Sequence, residues 1–451
     1  MIHMSLSSAA QALHASIAGD DVYFTGCSTD SRNIKAGEMF IALRGERFDG
    51  HDFIEQAWRN GAVAAMAEEN TGQALPMLLV KDTRAYMGRL AGIWRGKFDL
   101  PVVAITGSNG KTTVKEMIAS ILSLQAPVLA TRGNLNNDIG VPLTLFNMGQ
   151  EHRFAVIEMG ANHPGEIAYL SKLSRPYIAL ITQCAPAHLE GFASVEGVAR
   201  AKAEIFEGLP ENGFAILNED DEYAQFWRSK TARLKQIAFG FSDTADVTAT
   251  AVRIDANTGT SQFGIVSAGG VMEVRLQLPG KHNIQNALAA AACCLALDMP
   301  PEIIKAGLEN TVPSKGRLQF KKGRSGAVVV DDTYNANPGS LGAALNLIAG
   351  RGGRHWLVLG DMGELGPGTR DYHSHAGEKA RELGFERLYA LGDLSRCALE
   401  GFGNGARHFP DAESLIETLE AELVEDVTLL VKGSRAMAME NIVTALTEDN
   451  R

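Results

Sequence analysis

Residues 102–122 read VVAITGSNGKTTVKEMIASIL, and no other stretch limits the fold of this chain as much. The apolar run at its start suits a strand buried on both faces. A helix follows, with Val114, Met117, Ile118, Ile121 and Leu122 on one side. Between them, Gly107 and Gly110 permit tight curvature, so the backbone of Gly107, Ser108, Asn109 and Gly110 can turn several N–H groups toward phosphate oxygens. Lys111 adds a point charge, and the hydroxyl of Thr112, with Thr113 beside it, suits magnesium. The helix N-terminus favours the same anion. The longer GxxxxGK[ST] pattern fails, because Ile105 stands where its first glycine belongs. The competing reading is a plain strand–turn–helix with a chance Gly-Lys. It must account for the strand, both glycines, Lys-Thr-Thr and the amphipathic helix together.

The rest of the chain divides into three blocks. Residues 1–98 mix short strands (MFIAL, VAAMA, MLLV) with helical stretches and hold no phosphate loop. Residues 99–312 open with PVVAIT and continue through FAVIEM and YIALIT, each separated from the next by a helical pattern; strands alternating with helices imply a parallel sheet. A more alternating section (DVTATAVRI, SQFGIV, VMEVRLQL) predicts a few antiparallel strands before an alanine-rich helix at 284–297. Residues 313–451 repeat the α/β rhythm with AVVVDD, HWLVLGD, RLYALGD and VTLLVKGS. The expected class is α/β with three domains. These are a smaller N-terminal domain, a central P-loop-type parallel sheet with a few antiparallel strands, and a C-terminal Rossmann-like domain.

Net charge bears on what such a chain binds. At −11, with no basic stripe, it argues against nucleic acid. An anionic ligand then needs a local cluster of positive charge. The longest apolar run, Ala287 to Leu297, is eleven residues, too short to span a bilayer. The N-terminus shows no secretory signal pattern. Five cysteines without CxxC spacing predict neither a disulfide framework nor a zinc site, and so a cytoplasmic location.

Strand ends carry the other candidates, because ligands of open α/β sheets sit beyond the carboxyl ends of the strands. Glu158 ends FAVIE and has the oxygen chemistry magnesium prefers. His188 follows the next strand, where an ordinary loop histidine is an equal reading. In SVEGVARAKAEIF, Lys202 shares the helical stripe of Val195, Val198, Ala199, Ile205 and Phe206. Such a lysine either snorkels outward, the usual outcome, or sits desolvated with a lowered pKa. In the third block Asp331, Asp332, Lys432, Ser434 and Arg435 fall on a polar rim, and Arg317 lies at the boundary between blocks. Each alone is ordinary surface charge. Their coincidence with strand ends suggests a second nucleotide-facing wall.

TGSNGKTT, with Thr before the first Gly, resembles the phosphate loop of the Mur ligases and folylpolyglutamate synthetases, and GKHNIQNALAA resembles the same superfamily. STDSR, FIALRGERFDGHDFI, TRGNLNNDIGVPLTL and DDTYNANPGSLGAAL narrow the resemblance to the dipeptide-adding branch of the Mur ligases. The Asp-Asn-Pro-Arg motif of the diaminopimelate-adding branch is absent. The resemblance runs from about residue 26 to 436.

It implies ATP-driven addition of D-alanyl-D-alanine to a UDP-N-acetylmuramoyl-tripeptide through an acyl phosphate, in peptidoglycan precursor synthesis, by a monomer. By resemblance, Lys111 and Thr112 hold ATP phosphates and magnesium, with Glu158 and His188 as metal ligands. Lys202 corresponds to a lysine carbamylated in this family, which also serves the metal. Asn283 and Asn286 lie by the adenine, Arg317 and Asp332 by phosphate and ribose, and Tyr334 and Asn335 on the adenosine side. Ser31, Arg32, Arg44, Gly45 and Asp49 hold the uridine diphosphate, while Thr131, Asn134 and Asn137 reach the sugar and peptide. The first block becomes the UDP-substrate domain and the second the ATP domain. The third closes on ATP and takes the dipeptide. Two alternatives stand beside this reading: a folylpolyglutamate-type ligase, and a P-loop kinase or NTPase that performs no ligation.

Overall fold

The computed structural model describes residues 1–46, 48–72, 74–186 and 189–448. Its centre is a six-stranded, all-parallel sheet in the order Lys235–Phe239, Phe214–Asn218, Ile178–Ile181, Val102–Thr106, Phe154–Glu158, Val128–Ala130. The strand Val102–Thr106 is buried throughout, and its alternate side chains feed two cores. Val103 and Ile105 pack with Val114, Met117, Ile118 and Ile121 of the phosphate-loop helix and with the alanine-rich helix Lys281–Leu295. Val102 and Ala104 pack with Met87, Leu90 and Trp94 of the helix Thr83–Arg95 and with Ile167 and Leu170. A strand covered on both faces has no polar side to expose, which is why its sequence is an unbroken apolar run.

The alternating section is a three-stranded antiparallel sheet, Thr248–Asp255, Thr260–Ser267 and Gly270–Leu276. The last third forms a second six-stranded sheet in the order Gln319–Lys322, Val328–Asp331, Val427–Lys432, Arg354–Gly360, Arg387–Leu391, Ala406–Phe409. Only its first pair is antiparallel. The final strand of the chain thus lies inside this sheet. Near the N-terminus, Ser16–Ala18, Met77–Leu79, Ala64–Ala67, Met39–Ile41 and Cys27–Ser28 form a mixed five-stranded sheet. Several strands escape the sequence reading. Lys235–Phe239, Val128–Ala130, Gln319–Lys322 and Ala406–Phe409 are edge strands, where half-exposed faces interrupt the apolar run, whereas Phe214–Asn218, next to an edge, is nearly all buried.

Arg95 fastens the end of the helix Thr83–Arg95 to the end of the helix Glu166–Ser174 and to the loop that leads into Val102–Thr106. Its buried guanidinium donates to the carbonyls of Ser174 at 2.9 Å, Phe98 at 2.6 Å, Leu100 at 3.1 Å and Arg175 at 3.3 Å. The planar fork of donors lets one side chain satisfy four carbonyls. Burial, with the nearby Arg175 charge, draws its pKa down to about 10. All five cysteines are free. Among the described residues, no helix is long and apolar enough to cross a membrane.

Candidate active site

The strand Val102–Thr106 is flanked by Phe154–Glu158 on one side and Ile178–Ile181 on the other, so the order of the sheet reverses about it. Its carboxyl end is therefore the switch point where doubly wound sheets bind ligands. The loop from Gly107 to Gly110 turns here into the helix Lys111–Ser123. Both glycines are required by their surroundings. At Gly110 the backbone is left-handed (φ 83°), and an added Cβ would stand 2.4 Å from Asn286 Oδ1. At Gly107 an added Cβ would stand 1.8 Å from Thr182 Oγ1.

Around the loop lies a cavity of about 590 Å³. Residues 106–113, Glu158 and Lys202 line it from the central sheet, Asn283, Asn286 and Arg317 from the elements that follow, and Asp332, Tyr334, Asn335 and Lys432 from the last sheet. The Thr112 hydroxyl donates to Glu158 Oε2 at 2.9 Å and accepts from Arg317 Nη2 at 3.1 Å. Asn136 Nδ2 donates to the other carboxylate oxygen, Oε1, at 2.8 Å. Lys111 Nζ donates to the Gly107 carbonyl at 2.7 Å, closing the loop on itself. Burial lowers the Lys111 pKa, opposed by the Glu158 charge and assisted by Arg317.

Lys202 is buried within the helix Val195–Ala203, so the desolvated alternative holds and the snorkelling one does not. Among the described residues its ammonium has no hydrogen-bond or ion-pair partner. Burial and then the Lys111 charge draw its pKa down to about 7, against the opposite pull of Cys184 and Asp221. Many of these amines are therefore neutral near pH 7.

On the far wall, Lys432 is buried and donates to Asp332 Oδ2 at 2.5 Å and to the Asn335 carbonyl at 2.9 Å. The Arg317 guanidinium lies 4.2 Å from the centroid of the Tyr334 ring. Asp331 turns instead to Lys321 and Thr333, at 3.2 and 2.7 Å. Ser434 is half-buried and does not line the cavity, and exposed Arg435 pairs with Glu440.

Of the residues expected at the sugar and peptide, Asn134 and Asn137 line the cavity, but Thr131 is buried. Its hydroxyl accepts the Glu158 N–H at 3.0 Å and its carbonyl accepts from Lys115 Nζ at 2.7 Å. Thr131 thereby helps set the position of Glu158. Ser31, Arg32, Arg44, Gly45 and Asp49 lie outside the strands of the N-terminal five-stranded sheet and do not line the cavity. There Arg32 is bound by Asp30 at 2.9 Å, and Arg44 by Asp49 at 3.0 Å and Glu68 at 3.2 Å. Ser31 is buried and donates to Gln56 at 2.8 Å. His188 lies outside the described residues.

Four further residues line the cavity: His282, Thr182, Asn136 and Asn337. The first, third and fourth fall within GKHNIQNALAA, TRGNLNNDIGVPLTL and DDTYNANPGSLGAAL, but single polar residues in loops or at helix ends have no periodicity to single them out. Among the described residues no cluster of three or more His, Cys, Asp or Glu forms a preassembled metal cage. Glu158 and Thr112 still offer two oxygens at the phosphate loop. That suits magnesium, which takes one or two protein oxygens and fills its remaining positions with phosphate and water.

Three family models match the chain. They are the Mur ligase family catalytic domain over residues 23–92, the Mur ligase middle domain over 105–294, and the Mur ligase, glutamate ligase domain over 316–435. The UDP-N-acetylmuramoyl-tripeptide–D-alanyl-D-alanine ligase of Escherichia coli is 44% identical over 451 residues, spanning 100% of this chain and 99% of that protein. A crystal structure of MurF from Acinetobacter baumannii superposes with a TM-score of 0.93 at 37% identity, over 100% of both chains. MurF from Thermotoga maritima, solved in complex with ADP, superposes with a TM-score of 0.81 at 27% identity, over 93% of this chain and 96% of that one.

Proposed function

Because the chain belongs to the Mur ligase family, we propose that it joins D-alanyl-D-alanine to UDP-N-acetylmuramoyl-tripeptide at the expense of ATP, in peptidoglycan precursor synthesis. The observation that carries this reading is one cavity walled by the phosphate loop, Glu158 and Lys202 on one side and by Asp332, Tyr334 and Lys432 on the other. Neither alternative fits as well. A folylpolyglutamate-type ligase leaves the first sheet without a task, and a kinase or simple NTPase has no use for a second, amine-bearing substrate.

In the reaction, the terminal carboxylate oxygen of the tripeptide attacks the γ-phosphorus of ATP, and ADP leaves. The dipeptide amine then attacks the resulting acyl carbon. Phosphate departs with the C–O electron pair, and the amine nitrogen gives up a proton. Phosphoryl transfer of this kind depends mainly on positioning and charge neutralisation. Lys111, pinned over the loop by the Gly107 carbonyl, holds the phosphates together with backbone N–H groups that the two glycines leave open. Arg317 reaches across from the third block to the same point through Thr112.

Thr112, Glu158, His188 and Lys202, the last as its carbamate, are the residues that would hold magnesium. When bound, that ion screens the negative charge of the reacting phosphates. A desolvated lysine with a pKa of about 7 suits carbamate formation, which requires a neutral amine. Asn283, Asn286, Tyr334 and Asn335 take the adenosine end, beside the apolar surfaces of Phe239 and Leu278. The UDP moiety binds at Ser31, Arg32 and the Arg44–Asp49 turn. Asn134 and Asn137 guide the peptide from there toward the phosphate loop. Lys432 and Ser434 face the incoming dipeptide. The division of labour follows residues 1–98, 99–312 and 313–451, in a cytoplasmic monomer.

The decisive assay is phosphate release with ATP and each UDP-tripeptide, with and without D-alanyl-D-alanine. Release that requires both the tripeptide and the dipeptide supports ligation. Release indifferent to the dipeptide sinks it.

A further inference from the structure

Besides the Arg317–Thr112 bond, a second hydrogen bond joins the phosphate loop to the third block. Asn337 Nδ2 donates to Asn109 Oδ1 at 2.7 Å, across 228 residues of sequence. Asn337 is also the N-cap of the helix Pro338–Ala349, where its Oδ1 accepts the Ser340 N–H at 2.9 Å. Capping uses the oxygen of this amide, so the nitrogen is left to face Asn109, and the orientation of the Asn337 side chain is fixed by its own helix. That orientation in turn fixes the Asn109 amide. Its Nδ2 is buried and has no partner among the described residues, so no other bond sets how this side chain is turned. The Asn109 carbonyl is held separately by Thr182 Oγ1 at 2.6 Å. The middle of the phosphate loop is thus gripped by its own sheet through its backbone and by the third block through its side chain.

We propose that Asn337 is a positioning residue for phosphoryl transfer. It latches the third block onto Asn109, and so brings Asp332, Tyr334 and Lys432 to the loop in register with the nucleotide. Asn337 touches the loop and need not touch the reacting atoms. The inference rests on reading the cavity as the ATP site.

Its test separates the latch from the cap. Serine is as good an N-cap as asparagine but too short to reach Asn109 as well. Asn337→Ser should therefore keep the wild-type melting temperature, whereas Asn337→Ala should lower it. The loss of one net hydrogen bond predicts that Asn337→Ser lowers kcat/KM for ATP by about three- to tenfold. Asn109→Ala should fall at least as far, and the double variant no further than Asn109→Ala, because both remove the same bond. Effects that multiply in the double variant would overturn the latch. So would wild-type kinetics in Asn337→Ser. Lys111→Ala, run in parallel, tests the underlying reading: if it too keeps full ATP-dependent activity, the cavity is not the ATP site and the failure lies there.

Discussion

Thr112 and Glu158, 46 residues apart in sequence, meet at 2.9 Å because neighbouring parallel strands end side by side, with Glu158 in register with Ile105. The hydroxyl at the start of the phosphate-loop helix and the carboxylate of the adjoining strand form a single oxygen-bearing edge.

That edge depends on a lysine poised beside it. Replacing Lys111 by Ala should lower kcat/KM by at least about a hundredfold, the scale for removing one preorganised electrostatic group. Among the described residues its one hydrogen bond is to a loop carbonyl, so the melting temperature should shift little. Steady-state phosphate release and thermal unfolding check both halves.

Lys202 should carry the mass of one carbon dioxide, seen as branched density in a crystal structure. Lys202→Ala should lose orders of magnitude in kcat, with partial rescue by added short carboxylates. Lys202→Arg should show no rescue, because a permanent cation stays in place. An unmodified lysine together with a near-active Ala variant would contradict this.

Arg32 and Thr131 should separate in their kinetics. Arg32 is exposed and remote from the cavity, so Arg32→Ala should raise KM for the UDP-peptide by about tenfold or more and leave that for ATP nearly unchanged. Thr131→Val strands the buried Glu158 N–H, and it should lower stability by about 1–3 kcal/mol and reduce kcat. Thr131→Ser should restore both. A Thr131→Val variant altered only in KM for the UDP-peptide would return this residue to sugar binding.

His373 predicts a pH dependence of stability. Its Nε2 accepts the Met362 N–H at 2.9 Å, and its Nδ1–H donates to the Thr369 carbonyl at 2.7 Å. Burial lowers its pKa, against the raising influence of the Thr369 carbonyl and Asp361. The folded state therefore resists a proton that the unfolded chain accepts below about pH 6.5, and stability should fall as pH drops through that value. His373→Gln keeps a donor and an acceptor without titrating. The wild type should lose melting temperature relative to this variant between pH 7 and pH 5. Parallel curves would refute the assignment.

Sequence was most informative where backbone geometry and burial demand particular residues. The phosphate loop, the strand ends at Glu158 and Asp331, and the stripe that carries Lys202 were legible, because glycine conformation, strand termini and helical period leave marks in a linear string; that Lys202 is buried and not snorkelling outward was not. Thr131 was ambiguous, since a threonine facing inward and one facing a ligand read alike until the neighbouring strand is in place. Asn337 stands in a quoted motif, but its bond to Asn109 could not be read because the partner lies 228 positions away.

The place of Val427–Lys432 between Val328–Asp331 and Arg354–Gly360 has a consequence for synthesis. A ribosome delivers this segment after both of its neighbours in the sheet, yet it fills the interior between them and carries Lys432 to the cavity. Until it emerges, Val328–Asp331 and Arg354–Gly360 have no shared neighbour, and Asp332 lacks its cation. Domains tend to fold in order as they leave the ribosome, but the wall opposite the phosphate loop cannot be assembled piecemeal. A nascent chain that stops short of residue 427 would carry the phosphate loop without the Lys432 side of the wall that faces it.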